Sequence, residues 1–183
     1  MCGENSPMGW THEKCKKKYG MDGLITIYDY EDEGVRKVID GIKYEFNQEL
    51  VEDLLTDFVF EIGEKIDVVI PVPLYFYREN WRGFNQAELL GGVVGSGLLA
   101  PSSNLLVRKR NTIQQVKMKN RQERERNIKN AFVIDEKLKK SKNQKLKILL
   151  VDDVFTSGAD MRECTKVLKK AGAEIVWGLA LAH

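Results

Sequence analysis

Residues 147–181 carry the pattern that most constrains the fold. An apolar strand at 147–151 is followed by a helix from about 158 to 171 and a second apolar strand at 175–181. On the helix, Met161, Cys164, Leu168 and Ala171 share one face. Strand, helix and strand in this order make a βαβ unit, so the two strands are parallel. The expected fold class is α/β, a parallel β-sheet flanked by helices on both faces. Cys164, on the apolar face, reads as core packing and not as a nucleophile. In such sheets ligands sit beyond the carboxyl ends of the strands.

The rest of the chain supplies further elements. Residues 24–30 read as a β-branched and aromatic strand. Val35, Val38, Ile39, Ile42 and Phe46 then repeat at helical spacing, and Val51, Leu54, Leu55, Phe58 and Ile62 line a second helix. Residues 67–70 form a short buried strand that Pro71 and Pro73 should stop, because proline cannot donate to a central ladder. Residues 84–97 read as a helix whose Gly95-Ser96-Gly97 tail marks its end. Short strands are expected at 105–107 and 131–134, with a polar, lysine-rich connection over 135–147. No apolar run reaches the roughly 18 residues of a membrane span, so no membrane insertion is expected. The first residues lack the basic and apolar regions of a secretory signal. Three cysteines without an even framework suit a reducing cytoplasm.

At the end of the strand at 147–151 stands ILLVDDVFTSGADM (148–161). Asp152 and Asp153 are adjacent, and like charges repel. A lone acidic pair after a strand is most simply a turn former or helix cap. Here Thr156, Ser157, Gly158 and Ala159 lead directly into a helix N-terminus. Small residues let backbone amides converge there, which makes a phosphate cradle. Carboxylates beside such a cradle make sense for a ligand bearing both phosphate and hydroxyls, as ribose 5-phosphate does. Magnesium and nearby cationic side chains would offset the repulsion between the acids.

LLVDDVFTSGA (149–159) closely resembles the binding motif of phosphoribosyltransferases that use phosphoribosyl pyrophosphate (PRPP). IPVPL (70–74), RGFNQAELL (82–90) and a spaced set of Arg110, Thr112, Gln115, Glu123, Arg124, Asn127, Ala131 and Phe132 complete a succession that resembles the competence-associated ComF family. The resemblance covers about residues 20–183. It implies a type I phosphoribosyltransferase-like domain over 21–183, using PRPP and Mg2+. Asp152 and Asp153 would then bind the ribose and magnesium, as the catalytic acids. Phe155, Thr156, Ser157, Gly158 and Ala159 would form the 5-phosphate loop. The turn Pro71–Tyr75, including Leu74 and Tyr75, would be the pyrophosphate loop, with Arg78 and Arg82 near it. Residues 108–129 match the family's mobile hood, from which Arg108, Arg110 and Lys117 would cover the pyrophosphate. The implied reaction is displacement at the anomeric carbon through an oxocarbenium-like state; the acceptor is not indicated.

Two features depart from the family pattern. Asp160 stands where the family usually has a threonine whose hydroxyl contacts phosphate. Either it repels a bound phosphate and weakens PRPP binding, or it turns outward as a first-turn acid and backbone donors suffice. The family often carries a four-cysteine zinc ribbon at its N-terminus, and residues 1–20 read as a truncated remnant of one. Cys2, His12 and Cys15 are an incomplete set, since structural zinc takes four ligands. Trp81 reads as an aromatic packing a helix entry, with stacking on a base as the alternative.

Residues 107–129 hold nine Lys or Arg against two Glu, in a chain of net charge +2. A solvated helix and an anion-binding segment are both open for it. A non-catalytic PRPP-sensing adaptor that binds single-stranded DNA, and a nucleobase salvage enzyme, remain alternative functions. Single-stranded DNA, competence proteins and a second copy of the chain remain open as partners.

Overall fold

The computed structural model describes residues 9–44, 48–55, 62–111, 126–135 and 145–183. Its strands are β1 (Gly23–Tyr28), β2 (Val68–Pro71), β3 (Leu106–Arg108), β4 (Phe132–Ile134), β5 (Lys147–Val154) and β6 (Ile175–Ala182). Its helices are α1 (Glu13–Tyr19), α2 (Glu33–Tyr44), α3 (Gln48–Leu55), α4 (Phe76–Arg82), α5 (Gln86–Gly97) and α6 (Ala159–Lys170). Four strands form an all-parallel sheet in the order β1-β6-β5-β2, while β3 and β4 pair antiparallel in a sheet of their own. This is the expected α/β architecture.

Strand alternation explains why both faces need cover. Ile148 and Leu150 point into one core with Met161, Cys164 and Leu168 of α6, Cys15 and Tyr19 of α1, and Leu106 and Phe132 of the β3–β4 hairpin. Leu149 and Val151 point the other way, against Ile39 and Ile42 of α2, Val51 and Leu55 of α3, and Leu90 and Val94 of α5. A strand buried on both faces has to be apolar there, which is why 148–151 reads as a continuous apolar run.

Three details differ from the sequence expectation. β5 continues past Val151 to Val154, because β6 extends beside it: Asp152 lies opposite Ala180 and Val154 opposite Ala182. β2 runs through Pro71, which pairs with Val151. Val69 on the same strand sends its N–H outward to Pro101 O (2.9 Å), and Pro71, two residues on, shares that outward side. Its missing N–H therefore costs no bond to β5. The third difference is two short helices, α1 and α4, that the pattern did not show.

Described residues between 9 and 20 pack against the core. Cys15 and Tyr19 are buried, and Trp10 sets its ring edge-on to Trp177 at 5.0 Å. Asp22 joins α1, α6 and β6. Its carboxylate takes Lys16 at 2.7 Å, Lys169 at 2.6 Å and the Val176 N–H at 2.9 Å. Burial pushes the Asp22 pKa up, but these donors outweigh it and hold the carboxyl below its usual range.

Candidate functional site

All four parallel strands present their carboxyl ends along one edge of the sheet. Asp152 and Asp153 stand there as the last polar residues of β5. Successive side chains of a strand leave toward opposite faces, yet the two carboxyls at this strand end stay close enough to interact. Asp152 continues the Leu150 face toward α6 and feels the charge of Asp160. Asp153 continues the Val151 face toward α2, where Lys43 Nζ lies 3.9 Å from its Oδ2. Each acid also anchors the backbone that follows it. The Asp153 N–H donates to Asp152 Oδ1 (2.9 Å), and the Val154 N–H donates to Asp153 Oδ1 (2.8 Å). Burial, then the charges of Asp153 and Asp160, push the Asp152 carboxyl well above the usual carboxylate range.

The loop after β5 turns tightly into α6. Phe155 N–H is committed to Ala182 O at 2.8 Å, and its ring is buried against Tyr19, with centroids 5.8 Å apart. Phe155 thus supports the loop from beneath and offers a ligand neither its ring nor its amide. Gly158, the N-cap of α6, has φ 67°, and a Cβ there would collide with the Phe155 ring. Only glycine meets both demands without strain. Thr156, Ser157 and Ala159 follow the same turn, with Ala159 N–H on Ser157 Oγ at 3.4 Å. The turn opens at the N-terminus of a 12-residue helix, where amides without intrahelical partners favour an anion.

Asp160 occupies the first turn of α6 and lies 3.3 Å from Arg108 Nη1. Arg108 is buried and its guanidinium lies over the Phe132 ring, 5.2 Å from the centroid. The hairpin bearing Arg108 is fastened to α6 a second time, by Glu163. Its Oε2 accepts the N–H of Asn130, a left-handed residue of φ 57° just before β4, at 2.9 Å. The structure therefore brings Arg108 to the cradle as the counter-charge of Asp160. Arg110 is exposed and donates to Asn127 O at 2.9 Å. Lys117 lies outside the described residues, as do Thr112, Gln115, Glu123 and Arg124.

The turn Pro71–Tyr75 leaves β2 directly beside the end of β5, held by Val72 N–H on Val151 O at 2.8 Å. Leu74 and Tyr75 lead into α4, which begins at Phe76. Asn85 fixes this turn from the far side. Buried at the N-cap of α5, it accepts the Ala87 N–H (3.1 Å) and donates through Nδ2 to Val72 O (3.1 Å). The adjacent Gln86 donates to Lys43 O at 3.5 Å, tying α5 to the end of α2. The RGFNQ stretch is thus a clamp that sets both the loop after β2 and the helix bearing Lys43. Arg82 is half-buried at the end of α4, which also carries Arg78. Trp81 is 74% exposed, so it does not pack a helix entry as expected; the seven-residue α4 turns it outward.

Lys43 was not visible as a site residue from the sequence. Its Nζ lies 3.1 Å from Asp40 Oδ1 and 5.7 Å from the Tyr30 ring centroid, besides its approach to Asp153. Burial works against its charge, but Asp153, with Tyr30 and Asp40, outweighs burial and raises its pKa. Among the described residues no group of three or more His, Cys, Asp or Glu could hold a metal ion. Cys15 turns into the core, His12 precedes α1, and Cys2 lies outside the described residues. Among the described residues no helix is long and apolar enough to cross a membrane.

No family model matches the chain. It is 39% identical over 120 residues to Competence protein F of Haemophilus influenzae, covering 63% of this chain and 51% of that relative. It is 30% identical over 162 residues to the DNA utilization protein YhgH of Escherichia coli K12, covering 84% of this chain and 68% of the relative. The chain thus spans about half the length of Competence protein F and two thirds of YhgH. Among solved structures it is similar to the glutamine PRPP amidotransferase of B. subtilis, at 16% identity and a TM-score of 0.46, over 73% of this chain and 25% of that one. The structural likeness is too slight to argue from, whereas the match to YhgH takes in most of this chain and two thirds of that relative. On that relationship, the chain belongs to the ComF family.

Proposed function

We propose that this chain is a cytoplasmic phosphoribosyltransferase-like protein that binds PRPP with Mg2+ and serves DNA uptake or utilization. The observation that carries the reading is the junction of β5 and α6: an acid pair at a strand end, then a glycine-capped turn into a helix N-terminus. The turn suits the 5-phosphate. The two acids suit the ribose hydroxyls, since carboxylates accept hydrogen bonds. The loop after β2 lies beside them and would take the pyrophosphate.

Magnesium fits this donor set. It is commonly bound through one or two carboxylates plus substrate phosphates, and the acid pair supplies that number without a complete protein cage. When bound with the ligand, it would neutralise charge on the leaving pyrophosphate. The protein's own part is electrostatic. Carboxylates beside a ribose ring stabilise the positive charge that grows on it as the bond to pyrophosphate breaks. The names of the relatives, a competence protein and a DNA utilization protein, support the wider role.

Thermal unfolding followed with added ligands tests the reading. PRPP and ribose 5-phosphate should each raise Tm, PRPP more so with Mg2+, while Asp153→Asn removes the shift but keeps the fold. A Tm that neither ligand moves would overturn it.

A further inference from the structure

The acid pair has a resident counter-cation from outside its own strand, loop and helix. Lys43 closes α2, 110 residues before Asp153 in the chain, and its ammonium is 3.9 Å from Asp153 Oδ2. Three contacts fix its place: Asp40 Oδ1 at 3.1 Å, the Tyr30 ring at 5.7 Å, and Gln86 Nε2 on its backbone carbonyl at 3.5 Å. Tyr30 is held in turn by its N–H on His183 O at 3.0 Å, at the carboxyl end of β6. The lysine side chain is only 17% exposed. A flexible surface lysine would be spread over many rotamers, whereas this one is built into the sheet edge.

We infer that Lys43 is a positioning residue that supplies the standing positive charge for Asp153, so that the acid pair neither collects divalent cations strongly by itself nor depends wholly on them to receive a ribose. Without ligand, an ammonium at this distance weakens the pull of the pair on a free cation by simple repulsion. With ligand, it keeps the Asp153 carboxylate aimed along the edge. Magnesium then arrives chiefly with a phosphorylated ligand. The second half of this inference rests on the PRPP reading; the first half does not.

The experiment has two arms. In the first, the ligand-free protein is titrated with Mn2+ and free ion is followed by electron paramagnetic resonance. Lys43→Met should bind Mn2+ about tenfold more tightly than the parent chain. Lys43→Arg should match the parent, and Asp153→Asn should abolish the gain when combined with Lys43→Met. In the second arm PRPP is titrated with and without Mg2+. Lys43→Met should lose about tenfold in affinity without the metal, and recover most of it at millimolar Mg2+. Equal Mn2+ affinity in Lys43→Met and parent would overturn the inference. A parent chain that binds no PRPP would overturn the PRPP reading, while the Mn2+ arm still decides the role of Lys43. Should Lys43→Met fold poorly, Lys43→Gln makes the same test with a neutral polar side chain.

Discussion

Arg108 Nη1 and Asp160 Oδ1 meet at 3.3 Å across the gap between the β3–β4 hairpin and α6. This contact resolves how an acid can sit in the first turn of a phosphate-type cradle. Asp160 turns toward the hairpin, and the buried guanidinium balances its charge. Asp160 does not turn outward, as one reading of the sequence had it: it turns inward, to a buried arginine.

Removing one partner of a buried ion pair strands the other. Arg108→Met should therefore destabilise the protein by about 3 kcal/mol. Adding Asp160→Asn should restore part of that loss, and also phosphate-ligand affinity, in a double-mutant cycle read by urea unfolding. Additive losses would show that the two side chains do not act as a pair.

Asp22 makes an acid-sensitive joint. Its folded pKa lies below the ordinary carboxyl value, so its contribution is complete above the unfolded pKa of about 3.9 and is lost as pH falls through the folded value. Asp22→Asn should cost about 2 kcal/mol at neutral pH and much less below pH 3. Chemical denaturation between pH 6 and pH 2.5 measures both.

Asp152 acts in the opposite sense. Its folded pKa is raised, so the native state holds a proton that the unfolded chain gives up. Stability of the ligand-free protein should then fall as pH rises from the unfolded carboxyl pKa through the folded value. Asp152→Asn should flatten that slope in the same denaturation series.

Gly158→Ala tests the loop. With φ 67° and the Phe155 ring beneath it, an added methyl meets both backbone strain and collision. A loss of at least about 2 kcal/mol is expected. Phe155→Leu should relieve part of it, as thermal unfolding of the double variant would show.

Much of the fold was legible because its strands and longer helices carry their own periodicity. The β5–α6–β6 unit, α2 and α5 each bury a face defined within a few residues. The short helices α1 and α4 were missed for the opposite reason. Seven residues make barely two turns, and α4 shows Phe76, Tyr77 and Trp81 to the outside. The acid pair and its turn were readable as a local string. Lys43, Glu163 and the clamp by Asn85 were not, because their partners lie 110, 33 and 13 residues away. A local pattern records spacing along a chain, whereas these contacts arise only when the sheet brings separate elements to one edge.

Titration calorimetry of the chain with PRPP, with and without Mg2+, tests the central claim most directly. Binding in the micromolar range that strengthens with Mg2+, and that Asp153→Asn abolishes, is the expected result. Absence of binding in either condition, from a protein whose unfolding shows it to be intact, would contradict the account.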